Sequence, residues 1–148
     1  MVLDNFILEE YNNHDFEHKK LVSKLNNDAS VYRFLGIIEM YINNCLKQGE
    51  INGIDTFYVA KYNNEVIGFI ALNVIEDKFE ISYAILPEYR KEYLASLLLQ
   101  EFSEAIFSQY NYVDKIYLQI NQQNIGSIKT ATLVGFEKEK STRYSMKR

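Results

Sequence analysis

Two hydrophobic spacings alternate along the chain, and the switches between them mark its elements. Thr56–Tyr62 is rich in β-branched and aromatic residues and runs into Asn63-Asn64, a turn signal. Residues 66–75 are almost continuously apolar, the pattern of a strand buried on both faces. After Glu76-Asp77-Lys78, residues 79–86 alternate, with Ile81, Tyr83 and Ile85 on one face and Glu80, Ser82 and Ala84 on the other. Helical period takes over from about 92 to 109, where Leu94, Leu97, Leu98, Phe102, Ala105 and Ile106 form one stripe. Ile116, Leu118 and Ile120 alternate with Tyr117, Gln119 and Asn121 in another strand. A short helix is expected over about 124–133, and residues 136–147 fit two short strands. Upstream, residues 5–10 alternate weakly as a first strand, and helical spacing occurs around 15–26 and again over 34–46. There is no internal repeat and no Pro/Gly/Ser-rich linker. The pattern predicts one α/β domain over 1–148, with a mixed sheet in the order helix pair, three-strand meander, helix, strand, helix, strand.

Composition narrows the class. A chain of 148 residues with 47% hydrophobic content can bury a core as one unit. No run approaches the roughly eighteen apolar residues that span a bilayer, so no membrane partner is expected. Asp4, Glu9 and Glu10 do not fit the basic-then-apolar start of a signal peptide. The lone Cys45 cannot form an internal disulfide, which fits a reducing cytoplasm, and its apolar helical setting predicts a buried, inert thiol. Net charge is −4, from 16 basic and 20 acidic residues, and the basic residues are scattered. Nucleic-acid binding needs a concentrated positive face and is therefore not expected. Arg143, Lys147 and Arg148 read as solvated surface. Twelve tyrosines and nine phenylalanines describe an aromatic core without identifying a ligand. His14 and His18 lack a third spaced ligand, so no metal site is expected.

The candidate chemistry concentrates at two places. In residues 80–99 a half-polar strand breaks at Pro87, turns through a basic loop and enters a helix near Tyr93. Such a junction aims free backbone N–H groups and a positive dipole end at an anion. Further on, Asn124-x-x-Ser127 leads the short helix that ends at Gly135-Phe136.

At these residues the chain resembles the GNAT superfamily of acyl-coenzyme A-dependent N-acetyltransferases. Pro87, Glu88, Tyr89, Arg90 and Ala95 match its loop, with Tyr93 where the family's central glycine stands. Asn124, Ser127, Gly135 and Phe136 match its second segment, and residues 27–36 resemble the branch that acetylates ribosomal-protein N-termini. The likeness is strong from about residue 56 to 137 and loose before that.

The resemblance implies a mostly antiparallel central sheet flanked by helices, with the first helical pair over the acceptor entrance. It implies acetyl-coenzyme A as cosubstrate and no metal. The backbone of Arg90, Lys91, Glu92, Tyr93, Leu94, Ala95 and Ser96 would cradle the pyrophosphate. Ile85 and Leu86 would pair with the pantetheine arm, and Asn124 would hydrogen-bond its amide. The partner would be an amine-bearing acceptor, either a small molecule or a protein N-terminus, with a homodimer left open.

Acetyl transfer needs a neutral amine, and at physiological pH about 0.1% of a free lysine or roughly a quarter of an α-amine is neutral. A positioned base therefore helps. By resemblance, Glu80 is the base. The family's acid tyrosine falls at Ala131, which leaves Ser127 as a substitute; Ser127 and Asn124 fit equally as a helix cap. Tyr144 is a further hydroxyl near the C-terminus. The other reading, favoured by Tyr93 and Ala131, is a catalytically degenerate binding or regulatory domain on the same scaffold.

Overall fold

The computed structural model describes all 148 residues except the side chains of Lys91 and Glu92. Strand β1 (Ile7–Glu10) is followed by helices α1 (Phe16–Asn26), α2 (Ala29–Leu35) and α3 (Ile38–Asn52). A meander of β2 (Thr56–Tyr62), β3 (Glu65–Ile75) and β4 (Lys78–Ile85) comes next. A 3₁₀ turn, Pro87–Glu92, leads into α4 (Leu94–Gln109), then β5 (Lys115–Gln119), α5 (Ile125–Val134), β6 (Glu137–Lys138) and β7 (Arg143–Lys147). The seven strands form one sheet in the order β1-β2-β3-β4-β5-β7-β6, antiparallel at every junction but the parallel β4–β5 pair.

Both hairpins of the meander turn on paired residues at positive φ, Asn63-Asn64 and Glu76-Asp77. Two such residues in succession match the right-handed twist of the flanking strands. The apolar run of β3 is explained by its two covered faces. Phe69 and Ala71 pack with Leu21, Leu25, Ile38 and Ile42 of α1 and α3. Ile70 and Leu72 pack with Leu98, Leu99, Phe102 and Ile106 of α4. Burying a side chain of this size contributes about 1.5–3 kcal/mol, so α4 is anchored mainly by this stripe.

The helix expected over 34–46 is instead two helices. Asp28 caps α2 by accepting the Ser30 N–H at 3.0 Å. Gly36, at φ 79°, then ends α2, and the chain restarts at Ile38. That break follows from backbone geometry, since positive φ stops a right-handed helix regardless of apolar spacing.

Candidate functional site

The site arises where β4 and β5 stop pairing. Their ladder holds only Phe79 opposite Ile116 and Glu80 opposite Tyr117. Beyond Glu80, β4 pairs with β3 alone, from Ile81 opposite Leu72 to Ile85 opposite Gly68. The parted strands bound a cleft of about 350 Å³, lined by Ser82, Tyr83 and Ala84 of β4 and by Leu118 and Gln119 of β5. Asn124, Ser127 and Thr130 of the α5 segment line it too, as do Arg90 and Ala95 at its loop end. Its size suits a small organic ligand.

The loop end has the donors of an anion site. Tyr93 is the last residue before α4, at φ 57° and ψ 18°, and no side chain caps that helix. The first-turn N–H groups of a helix have no partner within it, and they face outward with the positive end of the dipole. Tyr93 thus adopts the left-handed conformation that glycine would provide, at a cost of roughly 1–2 kcal/mol. Its side chain is 76% exposed, so the ring stands off the loop rather than filling it. The side chains of Lys91 and Glu92, also expected in this cradle, lie outside the described residues.

Arg90 is held from two sides. Its Nε donates to the Ile85 carbonyl at 2.8 Å, and a terminal nitrogen pairs with the Asp28 carboxylate at 2.6 Å. Burial acts to raise the Asp28 carboxyl, but its bonds to Ser30 and Arg90 outweigh this and hold it below the usual range. A guanidinium carries five N–H donors, so these contacts leave part of it free for a phosphate. The pair also ties α2 to the loop. Arg33 of α2 meanwhile bonds Gln123 across the β5–α5 connection. The two contacts hold α2 over the mouth of the cleft, which Ser30, Val31 and Phe34 help to line.

Ile85 and Leu86 are buried, and the Leu86 N–H is taken by the Ile67 carbonyl at 2.7 Å. Gly68 makes this approach feasible, because a Cβ there would strike the Ala84 carbonyl oxygen and lie 2.9 Å from Ile85 Cα.

Glu80 is half-buried on the face of β4 that looks toward α1–α3. Burial pushes its carboxyl above the usual range, partly opposed by the Arg143 charge. Arg143 sits over the Tyr117 ring at 5.8 Å. Among the described residues no hydrogen bond or ion pair reaches the Glu80 carboxylate. Ser82, two residues on and on the same face, lines the cleft.

Ser127 lies elsewhere, on the α5 side, and its N–H donates to Asn124 Oδ1 at 3.3 Å. Asn124 therefore caps α5 while lining the cleft. The structure does not bring Glu80 and Ser127 together, because Tyr83, which faces Ser127, belongs to the alternate face of the same strand. Tyr144 is buried in the core. Two contributors escaped the sequence reading: the Asp28–Arg90 pair, which is tertiary, and the Tyr83 hydroxyl. The period-two pattern had assigned Tyr83 to an apolar face, and that assignment conceals a polar tip.

His18, Glu9 and Asp15 also cluster. The His18 Nδ1 accepts the Asn12 N–H at 3.0 Å, so Nε2 carries the proton and donates to Glu9 at 2.9 Å. Lys61 reaches the same Glu9 oxygen at 3.1 Å. Both ring nitrogens are therefore used in tying α1 to the edge of the sheet. His14 precedes α1 and stands apart from this cluster.

A mixed sheet opened between parallel strands, with an uncapped helix start at one end of the opening, defines the architecture of this α/β domain. The chain belongs to the acetyltransferase (GNAT) family, whose model matches residues 8–136. An N-alpha-acetyltransferase of Sulfurisphaera tokodaii is 26% identical over 101 residues, 60% of this chain and 60% of that protein. The match thus spans less than two thirds of the relative's length. Among solved structures, the ribosomal L7/L12 alpha-N-protein acetyltransferase RimL in complex with coenzyme A aligns at TM-score 0.77 and 15% identity, covering 99% of this chain and 96% of that one. An aminoglycoside acetyltransferase in complex with coenzyme A and kanamycin aligns at TM-score 0.77 and 20% identity, covering 97% and 95%. These likenesses establish the fold.

Proposed function

We propose that this chain is an N-acetyltransferase that moves acetyl from acetyl-coenzyme A directly to a primary amine. The parting of β4 and β5 directly after Glu80 carries this reading, since it sets a carboxylate of raised pKa beside the start of a ligand-sized cleft. The phosphates would meet the first turn of α4, with Tyr93, Leu94, Ala95 and Ser96, and the free part of Arg90. The pantetheine arm would run along Ile85 and Leu86 toward Asn124.

In the reaction the amine nitrogen attacks the thioester carbonyl carbon and a C–N bond forms. The Glu80 carboxylate takes the amine proton, the C–S bond breaks, and its electron pair leaves on sulfur. A carboxyl raised toward neutrality is a better base than an ordinary one. The two named relatives above that act on amines, a protein α-amine and an aminoglycoside, favour an acceptor of either kind. A protein N-terminus is preferred, because the curated relative is itself an N-alpha-acetyltransferase. We place the enzyme in the cytoplasm, as monomer or homodimer, acting without nucleic acid. No helix among the described residues is long and apolar enough to cross a membrane.

A second reading, a binding domain without turnover, draws on the Arg90–Asp28 pair and on Ala131, which offers no acidic hydroxyl. Titration calorimetry with acetyl-coenzyme A at low salt, followed by an acceptor screen with Glu80→Gln as control, separates the two. A Kd from about 1 to tens of micromolar, near −8 kcal/mol, with Glu80-dependent turnover is the expected result. Binding without turnover on any amine supports the second reading, and no binding at millimolar ligand overturns the transferase reading and favours the degenerate scaffold.

A further inference from the structure

On the Glu80 face of the sheet, a chain of hydrogen bonds has only one direction in which its protons can point. It starts at Asp55, whose buried carboxylate accepts from the Val74 N–H at 2.9 Å, the Asn52 amide at 2.8 Å and the Asn73 amide at 3.0 Å. A carboxylate only accepts, so Asn73 turns its NH₂ group toward Asp55 and its carbonyl oxygen away. Its second amide proton goes to the Cys45 sulfur at 3.2 Å. The carbonyl oxygen takes the Tyr41 hydroxyl at 2.7 Å, which spends the one proton that Tyr41 has. The Cys45 thiol also borders the Tyr41 hydroxyl, but it is the weaker acceptor. Burial pushes the Tyr41 phenol up, so it keeps that proton at neutral pH. The Ser82 hydroxyl meets the Tyr41 oxygen from β4. With Tyr41 committed to Asn73, Ser82 is the donor in that contact, and its own oxygen is left with lone pairs only. Register gathers these groups: Asn73 stands opposite Glu80 and Ala71 opposite Ser82, so Asn73, Glu80 and Ser82 share the face that Tyr41 covers from α3. Ser82 is half-buried and lines the cleft. Glu80, two residues back, lies roughly 7 Å away along the strand.

We propose that Ser82 determines the enzyme's choice of acceptor: its oxygen, kept free of its own proton by the Tyr41–Asn73–Asp55 chain, accepts one N–H of the primary amine while Glu80 accepts the other. The inference rests on the transferase reading and deepens it on the acceptor side. A neutral primary amine has two N–H bonds and one lone pair. The two bonds satisfy the two acceptors, and the lone pair is left for the thioester carbonyl carbon. A hydroxyl has a single proton, which goes to Glu80 as the stronger acceptor and leaves Ser82 unpaired. A site built to be filled by a donor rejects the analogue that lacks it, so the cleft selects amines against alcohols. Ser82 takes up and releases no proton, and the amine proton still ends on Glu80. Tyr41 touches no substrate; it is a positioning residue that acts through Ser82.

The test uses the best acceptor found in a panel of synthetic peptides with free α-amines and of small primary amines. On it, Ser82→Ala should raise KM about tenfold and lower kcat by a smaller factor, while acetyl-coenzyme A affinity stays within about twofold by calorimetry. Tyr41→Phe lets the Ser82 proton turn toward the amine, and should raise KM by a similar factor. The double variant should be no worse than Ser82→Ala alone, because Tyr41 acts only through that hydroxyl. Ser82→Thr keeps the hydroxyl and should recover most of the loss. Selectivity is read by calorimetry on the coenzyme A-bound chain, with the same acceptor and with its counterpart carrying a hydroxyl in place of the amine. Ser82→Ala should weaken the amine about tenfold and the hydroxyl counterpart less than about twofold. A KM for Ser82→Ala within about twofold of the wild type, or losses that multiply in the double variant, overturns the assignment and leaves the transferase reading standing. A wild type that acetylates nothing in the panel overturns both. Ser82→Ala removes one oxygen from a half-buried strand position, so its arm can be read even where Tyr41→Phe folds poorly.

Discussion

Glu80 and Tyr117 form the last rung between the only parallel neighbours in the sheet. The strands stay joined on one side of this pair and stand open on the other. Arg143, lying over the Tyr117 ring, places a positive charge near the Glu80 carboxylate. The pair thereby fixes where the cleft begins, while burial raises the Glu80 carboxyl against the opposing charge of Arg143.

Replacing that carboxylate should separate catalysis from stability. Glu80→Gln should lower kcat about 10²- to 10⁴-fold with little change in coenzyme A affinity, read by steady-state kinetics and calorimetry. In the wild type the acid limb of the kcat profile should lie above the usual carboxylate range. The raised folded-state value also means that the folded chain holds this proton more tightly than the unfolded chain does. Stability from Glu80 is therefore full below the unfolded value and declines as pH rises through the folded one. Glu80→Gln should remove that decline, so at neutral pH it should melt at a higher temperature than the wild type.

Tyr93 permits a backbone test. Tyr93→Gly should relieve about 1–2 kcal/mol of left-handed strain and forfeit about 0.5–1 kcal/mol to chain entropy. The net gain in stability by denaturant titration should lie between about 0 and 1.5 kcal/mol, since the exposed ring buries little and its loss costs little. Coenzyme A affinity should hold or rise. Tyr93→Val should be less stable than both, because a β-branched residue tolerates positive φ poorly.

Gly68 faces the opposite demand. It needs space rather than positive φ, as the backbone of Ala84 and Ile85 presses against it. Gly68→Ala should cost about 1–3 kcal/mol by thermal melting. It should also weaken coenzyme A binding, by displacing the end of β4 that leads into the loop.

Cys45 should be inert. Its side chain is buried, its sulfur accepts from Asn73 Nδ2 at 3.2 Å, and burial pushes the thiol up. Mass spectrometry after iodoacetamide treatment should show no alkylation of the folded chain and full alkylation in denaturant. Alkylation of the folded chain would show that α3 opens readily.

The sequence by itself determined most of the fold. Spacing placed the meander, the long helix and the last strand and helix within a few residues, because burial of alternate or every third and fourth side chain dominates each element. It erred at 34–46, where Gly36 stops a helix that the apolar spacing would continue. It also located the turn at Tyr93 and the Asn124 cap, each of which depends on local order along the chain. Tertiary structure decided the rest. The Asp28–Arg90 pair joins residues far apart in sequence, and the cleft exists only because β5 leaves β4 after one short ladder. Local pattern reports what each residue prefers, whereas contact partners and solvent exclusion are properties of distant segments brought together.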